Sequence, residues 1–305
     1  MHIPSSMLHG AVCPVTALVG VLGCAAAALR AFWSQHKPTA ARFGAITALV
    51  FAGQMMNFPI KDGTSGHLLG AVLAVSLLGI PFGILSIALV VTVQCLVFSD
   101  GGFTVLGANI LNMAIIGAGL GGLINSYLVK RFPARSGRYA VGLGLTAWLS
   151  VMLAALACSI ELAVSGTIAF HKVAGAMLAT HALIGIGEGL ITVAVCFVLS
   201  AGPISASPKR SVTVPLVASG IIAAMLSPFA SGLPDGLEWV AEKYRFLHEA
   251  APSFVSPLAD YTVPSINNEM LATGIAGLLG VIITFSIAWS LAKILLGNSR
   301  LGVRS

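Results

Sequence analysis

The chain has 305 residues, 57% of them hydrophobic and only 9% charged, with a mean hydropathy of +0.97 and a formal net charge of +6. Soluble domains carry roughly 25% charged residues, and so few charges cannot cover a water-facing surface, which excludes a soluble globular enzyme. Disorder is excluded because disordered chains are poor in apolar residues, so a polytopic membrane protein remains.

A spanning helix needs about 20 apolar residues. Apolar stretches at about 10–32, 42–57, 67–81, 83–98, 103–128, 138–164, 174–200, 211–229 and 270–296 predict an all-α membrane bundle of nine helices. The first carries a small face, Gly20, Cys24 and Ala27 or Ala28, suited to close approach by a partner helix or by one of its own. The third and fourth are short and divided only by Gly79, Ile80, Pro81 and Gly83, so they form a tight hairpin or one kinked element. No basic segment precedes the first apolar run, so a cleavable signal peptide is not expected. The five cysteines all lie in apolar runs without a CxxC pair, which suits packing rather than disulfides or a thiolate metal site.

The charges sort by loop. With the N-terminus outside, the inner loops hold Arg30, Lys37, Arg42, Lys130, Arg131, Arg135, Arg138, Lys209, Arg210, Lys293, Arg300 and Arg304. Only Lys61, Lys172, Lys243 and Arg245 fall outside. The positive-inside rule therefore predicts N-outside and C-inside. The basic excess is a topology signal and does not indicate nucleic acid. Residues 230–269 contain Asp235, Glu238, Glu242, Glu249, Asp260 and Glu269 and read as a polar outer loop. A Ser- and Pro-rich inner stretch, 201–210, predicts a boundary between a seven-span unit, 1–205, and a two-span unit, 206–305.

The chain begins Met1-His2-Ile3-Pro4. A free Met1 amine, the His2 backbone nitrogen and the His2 imidazole can close two fused chelate rings on one metal ion. Three nitrogens then lie near one plane, and a fourth completes a square, the geometry of Ni(II) or Cu(II). His67 is best placed to supply it. It ends the outer loop Gly63-Thr64-Ser65-Gly66-His67, whose glycines permit close backbone approach. His181 and Glu188 lie seven apart and share one face of the seventh helix. As intramembrane ionisable residues they are candidates for a proton relay or a polar clamp.

Several segments together resemble the NikM/CbiM family, the substrate-binding components of nickel and cobalt energy-coupling factor transporters. They are Met1-His2-Ile3-Pro4, residues 54–59 (QMMNFP), 63–70 (GTSGHLLG), Asp100-Gly101-Gly102, residues 107–113 (GANILNM) and 181–188 (HALIGIGE). Pro234-Asp235-Gly236-Leu237-Glu238 resembles the signature of the PDGLE or NikN-type accessory component, so the chain is similar to a NikMN-type fusion. Family members usually continue Met-His-Ile-Pro-Glu-Gly, whereas Ser5 and Ser6 follow here.

The resemblance implies metal ligands Met1, His2 and His67, with Ni(II) or Co(II) as the transported ion and no cofactor. Gln54, Asn57, Thr64, Ser65 and Asn109 are expected to orient the ligands. It also implies a place in the cytoplasmic membrane of a prokaryote, beside a transmembrane coupling protein and cytoplasmic ABC ATPases. No GxxxxGK[ST] phosphate loop is present in this chain. The alternative is a self-sufficient secondary carrier coupled to protons through His181 and Glu188. An enzyme is not expected, since His2 and His67 give no HExxH pairing.

Overall fold

The computed structural model describes residues 2–129, 131–199, 210–247 and 256–297. In chain order the elements are α1 (Val12–Trp33), α2 (Ala40–Gln54), β1 (Phe58–Pro59), β2 (Ser65–Gly66), α3 (Ala71–Leu78), α4 (Ile80–Phe98) and α5 (Phe103–Leu128). Then follow α6 (Gly137–Val164), α7 (Phe170–Leu199), α8 (Ser211–Phe229), α9 (Gly236–Tyr244) and α10 (Glu269–Gly297). The two strands are a short antiparallel pair, Phe58 opposite Gly66 and Pro59 opposite Ser65. The expected boundary at 205/206 lies outside the described residues.

Among the described residues, seven helices rather than nine are long and apolar enough to cross a membrane: α1, α4, α5, α6, α7, α8 and α10. The expected spans 42–57 and 67–81 prove shorter. With 15 residues α2 is about 22 Å long, and with eight α3 is about 12 Å, against a hydrocarbon core of about 30 Å. Their apolarity reflects burial inside the protein. All but four residues of α2 and all but one of α3 are buried, as expected of helices that are apolar all round. Between them, residues 55–70 form an irregular loop sunk into the bundle. His67–Gly70, expected as helix, belong to this loop, and Gly70 has φ +71°.

Gly79 turns the chain between α3 and α4 at φ +84°, so the pair is a tight hairpin. Gly83 lets the two helices touch, since a Cβ there would lie 2.9 Å from the Val75 backbone. The small face of α1 is filled from within the chain: Gly20 faces the Gly107 carbonyl and Gly23 faces Ile115, both on α5. The opposite face, with Val15, Leu18, Val21, Leu22 and Leu29, is exposed.

Two apolar clusters fill the bundle. One joins Ala31, Phe43, Leu77, Phe82, Leu143, Leu199 and Ala292, at the end where the basic loops gather. There Arg42 donates to the Leu77 carbonyl at 3.2 Å and Arg135 lies over Phe197. The other joins Ile3, Met7, Phe98, Leu162, Met177, Leu237 and Leu258, at the opposite end. An alanine at Gly83 should force the hairpin apart and cost about 1–3 kcal/mol. At Gly175 in α7 nothing lies within 4 Å of an added Cβ, so Gly175→Ala should hold or raise stability by about 0.5–1 kcal/mol. Thermal unfolding in detergent should separate the two variants in that order.

Candidate metal-binding site

The segment before α1 folds back into the bundle. His9 N–H donates to Ser165 Oγ at 2.6 Å, and Thr167 Oγ1 donates to the Met7 carbonyl at 2.6 Å, so the turn between α6 and α7 carries it. Deeper in, Asn109 on α5 grips Ile3 from both sides: Oδ1 accepts from Ile3 N–H at 2.8 Å and Nδ2 donates to its carbonyl at 3.2 Å. Gly102 N–H donates to the same carbonyl at 2.8 Å. A Cβ on Gly102 would collide with the Ser5 backbone, and Gly101 sits at φ +91°. The Asp100-Gly101-Gly102 sequence is thus the floor on which the segment lies.

This places His2 in the bundle, with Nδ1 3.0 Å from Asp100 Oδ1. The other Asp100 oxygen accepts from Tyr261 O–H at 2.6 Å, and Tyr261 stacks on Phe98 with ring centroids 4.6 Å apart. Burial alone pushes the Asp100 carboxyl up, but His2 and the Tyr261 hydroxyl outweigh it and hold the group well below the usual carboxylate range. Opposite a carboxylate, Nδ1 is the protonated nitrogen, which leaves the lone pair on His2 Nε2. That nitrogen is buried and unpartnered.

His67 lies against His2, with ring centroids 5.2 Å apart and planes 12° from parallel. Its Nδ1 is 3.0 Å from the Leu68 carbonyl, which can only accept, so Nε2 carries the lone pair. Burial pushes the His67 pKa down to about 3, so the ring is neutral near pH 7. The loop that carries it is held by two expected residues in structural roles. Glu188 accepts from Leu69 N–H at 2.6 Å and Gly70 N–H at 2.9 Å, and Gln54 Nε2 donates to the Leu69 carbonyl at 2.8 Å. His181 is engaged elsewhere, its Nδ1 2.8 Å from the Met177 carbonyl. The two members of the expected intramembrane pair therefore hold separate partners.

The acidic loop supplies the remaining wall. Ser65 N–H donates to the Pro234 carbonyl at 2.8 Å, Ser65 Oγ donates to Leu233 O at 2.7 Å, and Thr64 Oγ1 donates to Pro234 O at 3.2 Å. Ser231 N–H donates to the Asn57 carbonyl at 2.8 Å. Asn57, Thr64 and Ser65 thus bind this loop. They seat Asp235, which caps α9 by accepting from Leu237 and Glu238 N–H, while Glu238 returns to Asp235 N–H in a capping box. Asp235 Oδ2 lies 3.8 Å from His67 Nε2. Sequence reasoning did not place Asp100, Asp235 or Tyr261 in the site. An acid before two glycines at a helix mouth and a capping-box acid were visible signals for the first two. Tyr261 had none. Met1 lies outside the described residues.

A family described as cobalt uptake substrate-specific transmembrane region, CbiM, matches residues 2–203, and the PDGLE domain matches residues 209–296. The chain belongs to the CbiM family. It is a NikMN-type fusion. A chain from Archaeoglobus fulgidus, assigned as a fused nickel transport protein NikMN, is 33% identical over 302 residues, covering 96% of this chain and 98% of that one. The fused nickel transport protein NikMN of Rhodobacter capsulatus is 27% identical, covering 92% and 94%. The crystal structure of a transition metal transporter superposes with a TM-score of 0.59 at 27% identity, covering 70% of this chain and 99% of that chain. The family and fold are those of multi-pass membrane transporters, so this chain is a transport component of the NikM/CbiM type and not an enzyme.

In this NikMN-type chain, Gly102→Ala and Asn109→Ala should each loosen the returning segment. Leaving the buried Ile3 peptide unpaired costs about 1–3 kcal/mol. Hydrogen exchange at the Ile3 and Gly102 amides should speed up about tenfold or more in either variant.

Proposed function

We propose that this chain captures Ni(II) outside the cytoplasmic membrane of a prokaryote, as the substrate-specific component of an energy-coupling factor importer. The observation that carries the reading is the juxtaposition of His2 and His67. Two nearly parallel imidazoles, that of His67 held neutral by burial, are brought together by a segment that returns into the bundle from the chain's start. Two imidazoles are half of a coordination sphere. In a chain that starts at Met1, its amine and the His2 backbone nitrogen supply the other half.

Closing the chelate ring through His2 requires Nδ1, because Nε2 cannot reach back to its own backbone nitrogen. Nδ1 now faces Asp100. Ion capture therefore exchanges Asp100 for the metal, with the ring turning about its Cβ–Cγ bond. Asp100 keeps the Tyr261 hydroxyl through the exchange. Loss of the His2 amide proton lowers the charge at the ion to +1, which either nearby carboxylate, Asp100 or Asp235, is enough to balance in a water-poor setting.

Relatives with nickel and with cobalt in their names both match this chain, among them the cobalt transport protein CbiM of Salmonella typhimurium. A planar four-nitrogen set favours Ni(II), and Co(II) is the competing cargo. Energy comes from a membrane coupling protein and cytoplasmic ABC ATPases. The basic loops at the end opposite the site face the cytoplasm.

Calorimetry with Ni(II) and Co(II) on the chain with its native start should show one tight Ni(II) site. One residue added before Met1 should weaken it at least 100-fold. Binding should fade as the pH falls, because protons compete for the amine and the His2 amide. An extended chain that binds Ni(II) with unchanged affinity sinks the chelate.

A further inference from the structure

The amino-terminal site leaves one buried imidazole unused. His181 on α7 is 1% exposed. Its Nδ1, 2.8 Å from the Met177 carbonyl, is fixed as the N–H donor, so the lone pair is on Nε2. Nε2 is buried with no hydrogen-bond partner. An unmet buried acceptor carries a cost of about 1–3 kcal/mol, and the fold does nothing to avoid it. His181 lines a small cavity of about 10 Å³ together with Gly66, His67, Leu69, Val151, Ile184 and Gly236.

That space suits one water molecule or one metal ion. A water there has only the two histidine side chains as partners, the fewest it needs, because the rest of the wall is aliphatic or glycine. A soft divalent ion suits it better, since imidazole nitrogen is a good donor for Ni, Co and Zn. Gly236 keeps the space open: a Cβ there would lie 3.0 Å from His181 Cε1 and 2.9 Å from Ile184 Cδ1. His67 thus stands against His2 in the amino-terminal site and lines this cavity with His181.

We propose that His181 Nε2 is a second ligand position for a divalent transition-metal ion, shared with His67, which receives the ion as it leaves the amino-terminal chelate. The inference rests on that chelate as the first site. Its test therefore separates the two. In the chain extended by one residue before Met1, Ni(II) titration should reveal a single weak site, and His181→Phe should weaken it at least tenfold. Ni K-edge X-ray absorption on the extended chain with His181 intact should count two imidazoles, a readout that does not depend on the variant folding.

The absence of a weak site, a count below two, or indifference of the site to His181→Phe in a monodisperse protein overturns the proposal. A tight site in the extended chain that His181→Phe weakens keeps His181 as a ligand and discards the chelate. A tight site that ignores His181→Phe counts against both.

Discussion

A buried carboxylate in the middle of α7 holds the loop that carries His67. Irregular backbone inside a membrane bundle exposes amides and carbonyls that no water can satisfy, so the protein itself must pair them. Glu188 takes two consecutive N–H groups at Leu69 and Gly70, and Gln54 takes the Leu69 carbonyl. Asn109 does the same for the returning segment at Ile3. Each of these polar groups is buried, and each is matched to main chain. Without them, α2 and α3 would have no reason to stop short, and the loop between them would have no means of lying among apolar helices. The shortness of these two helices and the depth of the site are one feature seen from two sides.

The second unit takes part in the site as a wall and as a source of charge. Its loop pairs with the short strand at Ser65, and Trp239 Nε1 donates to the Asp62 carbonyl at 3.0 Å. The capping box at the start of α9 fixes the Asp235 carboxyl where it satisfies two helix N–H groups and still faces His67. Tyr261, from the same outer loop, reaches Asp100. Both carboxylates near the two imidazoles are thus governed by this loop, one by supply and one by a hydrogen bond. Fusion of the two units in one chain keeps them at a fixed stoichiometry.

Much of this was legible in residue types. Charge scarcity and apolar runs announced a helical membrane bundle, and all seven long helices lie close to predicted stretches. Hydropathy failed at 42–57 and 67–81 because it measures apolarity and not its cause. A helix buried in protein and a helix buried in lipid score alike. His2 and His67 could be paired from chelate chemistry and loop placement. Asn57, Thr64 and Ser65 were expected to serve the ligands, yet they bond to residues 231–234, since a contact across some 170 positions leaves no local pattern. Glu188 and His181 share a helix face, as their spacing requires, but spacing says nothing of the partners that a loop from α2 and α3 brings to them.

The distribution of charge around the proposed site favours a particular kind of event. His67, with its pKa pushed down by burial, resists becoming a cation, and Asp100 is kept an anion by His2 and Tyr261. A proton arriving alone is therefore poorly held by these two groups, whereas a divalent ion in the proposed site meets lone pairs and carboxylates together. Carboxylates as direct ligands would favour hard cations such as Mg(II) and Ca(II). Keeping Asp100 on the Tyr261 hydroxyl and Asp235 on the α9 amides leaves nitrogen as the first donor of the proposed site and turns preference towards the later transition metals. The carboxylates then act through their charge beside the ion. In the proposed site, a chain this poor in charge binds a divalent ion by placing its few acids behind the nitrogen donors.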